Sequence, residues 1–267
     1  MFRSTLRTLN RLAARSGLPA LLLVATHGAL QAQSHGISSI ESSEPTTAGP
    51  RAPTDSGAVS VWEDANRTSG PKVVVSIDER RLWFMDGQIV LFTAPVAVGR
   101  SVVLEFEDKV WNFATPRGRR TVLQKERDPI WVPPDWHYVE LALLQGWQLK
   151  PLVAHRPVRL SDGSSLVVRG RHVGRVLADG SFVPVPPGEE AVFDETLFMP
   201  PLDSHNRRIP GQLGRFKLDL GDAYYLHGTP DPGSIGSAAT HGCIRLHDED
   251  IEYLYRTVPV GTPVFLF

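Results

Sequence analysis

From Lys72 onward the chain is broken into short apolar runs of strand length. "KVVVSI" (72–77) is β-branched. "RRLWFMDGQIVLFTAPVAVG" (80–99) holds two apolar runs separated by Asp86-Gly87, a hairpin signal because both residues tolerate positive φ. "TPRG" (115–118) reads as a turn and "RRTVLQK" (119–125) as a further strand. "GRFKLDL", "AYYLHG" and the terminal "TPVFLF" read the same way. One helix is predicted near the end. Asp248 is placed to cap it, Glu249 and Asp250 complement its dipole, and Ile251, Leu254 and Tyr255 fall at i, i+3, i+4. Pro259 and Gly261 stop it. The pattern predicts a mostly β domain with one or two short helices.

Three stretches stand outside this pattern. Residues from about 137 to 205 contain "VELALLQGWQL", a candidate short helix, and then several short strands joined by Asp-Gly turns. That is too long and too patterned for a plain loop, and it predicts a β-rich insertion. Residues 33–70 are rich in Ser, Pro, Gly, Thr and Ala and predict a flexible linker. Residues 1–32 carry Arg3, Arg7, Arg11 and Arg15, then the apolar "LPALLLVATHGAL", then Ala32 in "LQAQ". This is the order of a secretory signal peptide, so a periplasmic or cell-envelope location is expected. Any membrane association would then come through an uncleaved signal. No internal repeat is visible.

Composition is that of a globular chain, with 42% apolar and 21% charged residues. A formal net charge of −1 gives no case for nucleic-acid binding. The cysteine count changes the picture more. There is one, Cys243, and in an oxidising compartment cysteines are usually paired.

Cys243 stands in "THGCIRLHDED". A thiol attacks carbonyls as thiolate, and a neighbouring histidine is the group that can take its proton to form an ion pair. The developing oxyanion needs donors, and backbone N–H groups beside Gly242 can approach closely. In an extended segment Arg245 points to the same side as Cys243, ready for a forked contact to a carboxylate or carbonyl. His227, ending "AYYLH", lies 16 residues upstream, and a loop of that length can return it to the sulfur. Two other readings compete: a buried, inert cysteine, and a metal site from His227, His241, Cys243 and His247, whose spacing matches none of the usual zinc motifs. His137, His155, His172 and His205 read as surface residues.

Taken together, His227-Gly228, Thr240-His241-Gly242-Cys243, Ile244 and Arg245 resemble the signature of the L,D-transpeptidase catalytic domain, often called the YkuD domain. "VSIDERRLWFMDGQIVLFTAPVAVG", "ATPRG", "IWVPP" and "GQLGRFKLDL" are similar to its other landmarks, so the resemblance covers about 72–136 and 206–267. It implies a β-sandwich-like catalytic domain over 71–267. Cys243 would be the nucleophile, His227 the proton acceptor and donor, and His241 a support for the site and the substrate. Arg245, Gly228, Thr240 and Gly242 would border the substrate. The implied substrates are peptidoglycan stem peptides, with no metal and no cofactor. Cys243 would attack the diamino acid–D-Ala bond, release D-Ala, and pass the acyl group to an amine on a second stem (a 3→3 cross-link) or on a lipoprotein. The same fold using water would be an L,D-carboxypeptidase or hydrolase. A non-catalytic wall-binding protein has no use for an activated thiol, and such a thiol should be sensitive to mild peroxide.

The sequence departs from the family wording in three places. Thr240 stands where Ser is commoner. The turn before "LGRF" reads Arg208-Ile209-Pro210-Gly211-Gln212. The insertion at about 137–205 is longer than a minimal domain needs. Its position between landmarks of the cleft suggests a cap that selects the acyl acceptor.

Overall fold

The computed structural model describes residues 48–267; the proposed signal peptide lies outside them. Two sheets face each other. The first has five strands in the order Ile89–Pro95, Arg81–Asp86, Pro71–Ser76, Pro263–Leu266, Gly118–Thr121. The chain end pairs parallel with the first strand, Val73 opposite Val264. The expected hairpin forms, with Asp86 paired to Ile89 and Gly87-Gln88 in the turn, Gly87 at φ 54°. The second sheet has four strands in the order Ile244–Arg245, Tyr225–His227, Phe216–Asp219, Gln124–Arg127.

Strand alternation sorts the side chains. Val73, Val75, Leu82 and Phe84 from the first sheet meet Leu218, Leu226 and Ile244 from the second, together with Ile251 and Leu254 of helix Asp248–Thr257. This is the sandwich core, and it confirms the mostly β expectation. The helix starts one residue earlier than expected. His247 is its N-cap, and Asp248 is its first residue. The Asp248 carboxylate instead accepts the Thr229 N–H at 3.2 Å, tying the helix start to the loop after His227.

The outer face of the first sheet is apolar too, because Val74, Trp83, Met85, Phe265 and Phe267 alternate with the core positions. Helix Ser56–Arg67 covers it with Ala58, Val61, Trp62 and Ala65. Asp55 caps this helix by accepting the Gly57 N–H. The buried Lys72 ammonium donates to the carbonyls of Ala65 and Thr68 at its end. The second half of the stretch read as a linker is therefore a packed element.

The stretch read as an insertion opens with a helix, overlapping the candidate short helix, and continues in short strands. Asp135–Gln145 ends at Gly146, whose φ of 70° suits the left-handed cap. Strand Gln148–Pro151 then pairs parallel with Thr196–Met199, which pairs with Ala191–Phe193. Between them lies a four-stranded meander over residues 158–184, turning at Asp162-Gly163 and Asp179-Gly180. It has its own core of Leu152, Leu160, Leu166, Val173, Ala191 and Phe198. Buried Arg207 anchors the helix start, donating to Pro200 O at 2.7 Å, Pro133 O at 2.9 Å and the Asp135 carboxylate at 2.9 Å. Among the described residues no helix is long and apolar enough to cross a membrane.

Candidate active site

The second sheet positions the candidate nucleophile. Its strands pair with Leu226 opposite Ile244 and His227 opposite both Arg245 and Lys217. Leu218, Leu226 and Ile244 point into the core. By the period of two, Lys217, Tyr225, His227, Cys243 and Arg245 share the opposite face. The sheet thus brings together the cysteine, histidine and arginine singled out in the sequence. Lys217 pairs with Glu126 across the strands at 2.8 Å and lies 4.5 Å from the Tyr225 ring centre.

Two glycines carry geometry that a side chain would spoil. Gly242 has φ 119°, and a Cβ there would stand 2.8 Å from the Tyr224 ring. A Cβ on Gly228 would stand 2.0 Å from the Asp248 carboxylate. The turn before the nucleophile is closed by hydroxyls. Thr240 Oγ1 donates to Cys243 O at 2.6 Å and accepts the Gly242 N–H at 3.2 Å. Thr115 Oγ1 donates to Gly242 O at 3.0 Å and accepts the Gly99 N–H at 2.8 Å. Thr115 belongs to "ATPRG" and reads in sequence as a turn residue; here it is buried and braces the nucleophile loop.

His227 is buried, and its Nδ1 faces Gly228 O at 2.6 Å. A carbonyl only accepts, so Nδ1 carries the proton and Nε2 keeps a lone pair. Burial, with Arg245 and Lys217 adding to it, pushes His227 down to about 4. The Cys243 Sγ–H donates to Ala223 O at 3.6 Å. Desolvation pushes the thiol up to about 11, against the pull of the Tyr225 amide, Arg245 and Lys217. The resting site therefore holds a neutral thiol and a neutral imidazole. Both shifts favour the neutral pair over the ion pair expected from the sequence.

Arg245 donates from Nη1 to Ser234 Oγ at 2.8 Å, with Asp231 4.0 Å away. Its Nε is buried and unpaired among the described residues. His241 lies in different company. Its ring stacks on Trp136 at 4.0 Å and 17°, with the edge of Phe113 at 4.6 Å. Its Nε2 meets both the Glu140 carboxylate and Arg100 Nη2, each at 2.8 Å. Burial lowers His241; Arg100 adds to this and Glu140 opposes it. Glu140 is held below the usual carboxylate range, since hydrogen bonds from His241 and Arg100 outweigh its burial.

Trp136 and Glu140 belong to the insertion's helix. Nothing local in the sequence marks them, because their link to His241 spans about a hundred residues. His137, expected at the surface, is partly buried beside Trp131 at 5.1 Å. No three residues of the alternative metal set, His227, His241, Cys243 and His247, gather around one point among the described residues. A groove of about 320 Å³, bordered by Gly211, Arg215, Thr229 and Asp248, lies beyond the Gly228 loop and does not include Cys243.

His227, Cys243 and Arg245 thus share one sheet face, and among the described residues His227 Nε2 has no hydrogen-bond partner. The family model of the L,D-transpeptidase catalytic domain, YkuD, matches residues 70–266, and the chain belongs to this family. The probable L,D-transpeptidase YbiS of Escherichia coli is 46% identical over 52 residues, covering 20% of this chain and 17% of that protein. The putative L,D-transpeptidase YkuD of Bacillus subtilis is 42% identical over 62 residues, covering 23% and 38%. The aligned stretches thus span well under half of either relative. An L,D-transpeptidase structure from Xylanimonas cellulosilytica aligns over 78% of this chain and 69% of that one, at 16% identity and a TM-score of 0.39.

Proposed function

We propose that the chain is an exported cysteine acyltransferase of peptidoglycan, with Cys243 the nucleophile and His227 its base. The observation that carries this reading is the strand register, which sets both residues on one sheet face while the Gly228 carbonyl holds the His227 proton on Nδ1. As Cys243 Sγ bonds to the carbonyl carbon of the stem-peptide diamino acid, its proton passes to His227 Nε2. The oxygen takes up the charge. Gly242 N–H is engaged by Thr240, so the amide of Cys243 itself is the backbone donor assigned to that oxygen. Collapse breaks the bond to D-Ala, whose nitrogen takes the proton from His227. An incoming amine then gives its proton to His227 and attacks the thioester, and the departing Cys243 sulfur takes that proton from His227. The thioester conserves acyl reactivity without a nucleotide. The unpaired Nε of Arg245 is the donor available to a substrate carboxylate or carbonyl.

The test is mass spectrometry of the protein incubated with disaccharide-tetrapeptide, beside Cys243→Ala. A dimer lacking one D-Ala, absent from the variant, is the expected product. Tripeptide alone would assign water as the acceptor, and no product in either sample would refute the reading.

A further inference from the structure

The insertion sits closer to the chemistry than its place in the sequence suggests. Trp136 and Glu140 are four residues apart on helix Asp135–Gln145 and so share one face. That face presents a flat ring and an acceptor to one imidazole. Buried Arg207 holds the start of the same helix through Pro133 O and Asp135. Position and orientation of His241 are thus set from outside the strands that carry Cys243.

One atom decides the chemistry. Nε2 of His241 has two neighbours at the same 2.8 Å. A guanidinium N–H only donates and a carboxylate only accepts, so Nε2 can satisfy one of them at a time. Arg100 also pairs with Glu140 directly. If Nε2 carries the proton, it donates to Glu140, and Glu140 takes a second bond from Arg100. If Nε2 carries the lone pair, that lone pair faces an ionised carboxylate oxygen at hydrogen-bond distance, which is repulsive. The first arrangement satisfies Nε2 and gives both carboxylate oxygens a donor.

We infer that Glu140 is a positioning residue: it fixes the His241 proton on Nε2 and leaves Nδ1 an acceptor, while Trp136 holds the ring plane. His241 then serves the reaction by accepting a hydrogen bond, from an N–H of the stem peptide or of the attacking amine. It does not donate to the oxyanion. The tautomer stands on the geometry alone, whereas its effect on turnover rests on the proposed acyltransferase reading.

The two parts are tested separately. Two-bond ¹H–¹⁵N correlation spectra of the full chain, with His241 assigned from His241→Asn, report which ring nitrogen is protonated. The wild type should show Nε2–H. Glu140→Ala leaves Arg100 as the only Nε2 partner, so its proton should move to Nδ1. Glu140→Gln keeps an acceptor, and Arg100→Ala keeps the carboxylate, so both should retain Nε2–H. In D-Ala release from disaccharide-tetrapeptide, Glu140→Ala should lower kcat about 10- to 100-fold, the equivalent of one charge-assisted hydrogen bond. Glu140→Gln should restore most of it. Thiol–disulfide exchange at Cys243 should not change, because the nucleophile is untouched. A wild-type ring protonated on Nδ1, or Nε2–H surviving in Glu140→Ala, would overturn the inference. If Glu140→Ala does not fold, the wild-type spectrum decides. If no form releases D-Ala, the activity reading fails and the spectra still judge the tautomer.

Discussion

Disulfide-exchange kinetics at Cys243 test whether the resting thiol is activated. Burial raises the thiol from 9.0 to about 11 and lowers His227 from 6.5 to about 4. The two stand about seven units apart, so moving the proton from sulfur to imidazole costs about 10 kcal/mol before the new charges attract. At a separation of about 4 Å and an effective dielectric near 20, that attraction returns only about 4 kcal/mol. The neutral pair wins. At pH 7 the thiolate fraction is about 100-fold below that of a thiol at its ordinary value. A more basic thiolate is a better nucleophile, which recovers about 10-fold. The net rate with an aromatic disulfide should be about 10-fold below a model thiol. It should climb tenfold per pH unit and show no plateau below pH 10. His227→Ala should leave this resting rate within about threefold, yet lower turnover about 10²- to 10⁴-fold, the usual contribution of a general base. A flat rate between pH 6 and 9, or a collapse of resting reactivity in His227→Ala, would refute the reasoning and restore a preformed ion pair.

Other expectations follow from the same packing. His227 is depressed from 6.5 to about 4, so the unfolded chain binds the extra proton first. Stability is full above pH 6.5 and falls by about 3 kcal/mol as pH drops toward 4; denaturant titrations should show this slope, and His227→Gln should lose it. Cys243 is raised, so its contribution is full below pH 9 and fades toward 11, a limb that Cys243→Ser should remove. Gly242→Ala puts a side chain at φ 119° against Tyr224. It should cost about 1–3 kcal/mol of stability, and D-Ala release should fall more than stability does, since Cys243 is the next residue. A chain starting at residue 70 uncovers Trp83, Met85, Phe265 and Phe267. Against one starting at residue 48 it should lose about 5 kcal/mol or aggregate on concentration; equal melting temperatures would show that the first helix is dispensable.

The strands and the Cys243 motif were legible because both are local. "KVVVSI", the Asp86-Gly87 hairpin and the Cys243 motif each declare themselves within a few residues. Alternation was enough to place Arg245 on the Cys243 side. Helix Ser56–Arg67 was hidden by the small polar residues around it, although Ala58, Val61, Trp62 and Ala65 fall at i, i+3, i+4, i+7. Composition outweighed periodicity there, and periodicity was the better guide. Asp248 was mistaken for a cap because the spacing offers nothing to show that its carboxylate is taken by Thr229. The shell around His241 had no local signal at all. Arg100, Glu140 and Trp136 are brought in by the fold of the insertion. The charge state of the thiol was equally out of reach, since a motif shows which groups are neighbours and not how much water they have lost.

That loss of water bears on how a lone thiol survives in the oxidising compartment proposed for this chain. Peroxide attacks the thiolate. With the thiol near 11, about one molecule in 10⁴ is vulnerable at pH 7, so inactivation should be slow rather than immediate. It should quicken about tenfold with each pH unit up to pH 10. Measuring D-Ala release after timed peroxide exposure, with and without later reductant, gives the rate and its reversibility. Rapid loss at pH 7 would mean that the thiolate is populated and that the burial argument is wrong. Slow loss has a mechanistic consequence. A site that keeps its nucleophile protonated until attack must draw activation from the bound substrate, whose carbonyl accepts the Cys243 amide bond and whose presence excludes the remaining water. Stem peptide should then change Cys243 reactivity toward small reagents more than any pH change near neutrality does, and this should hold in Cys243-intact variants that bind the peptide but lack His227.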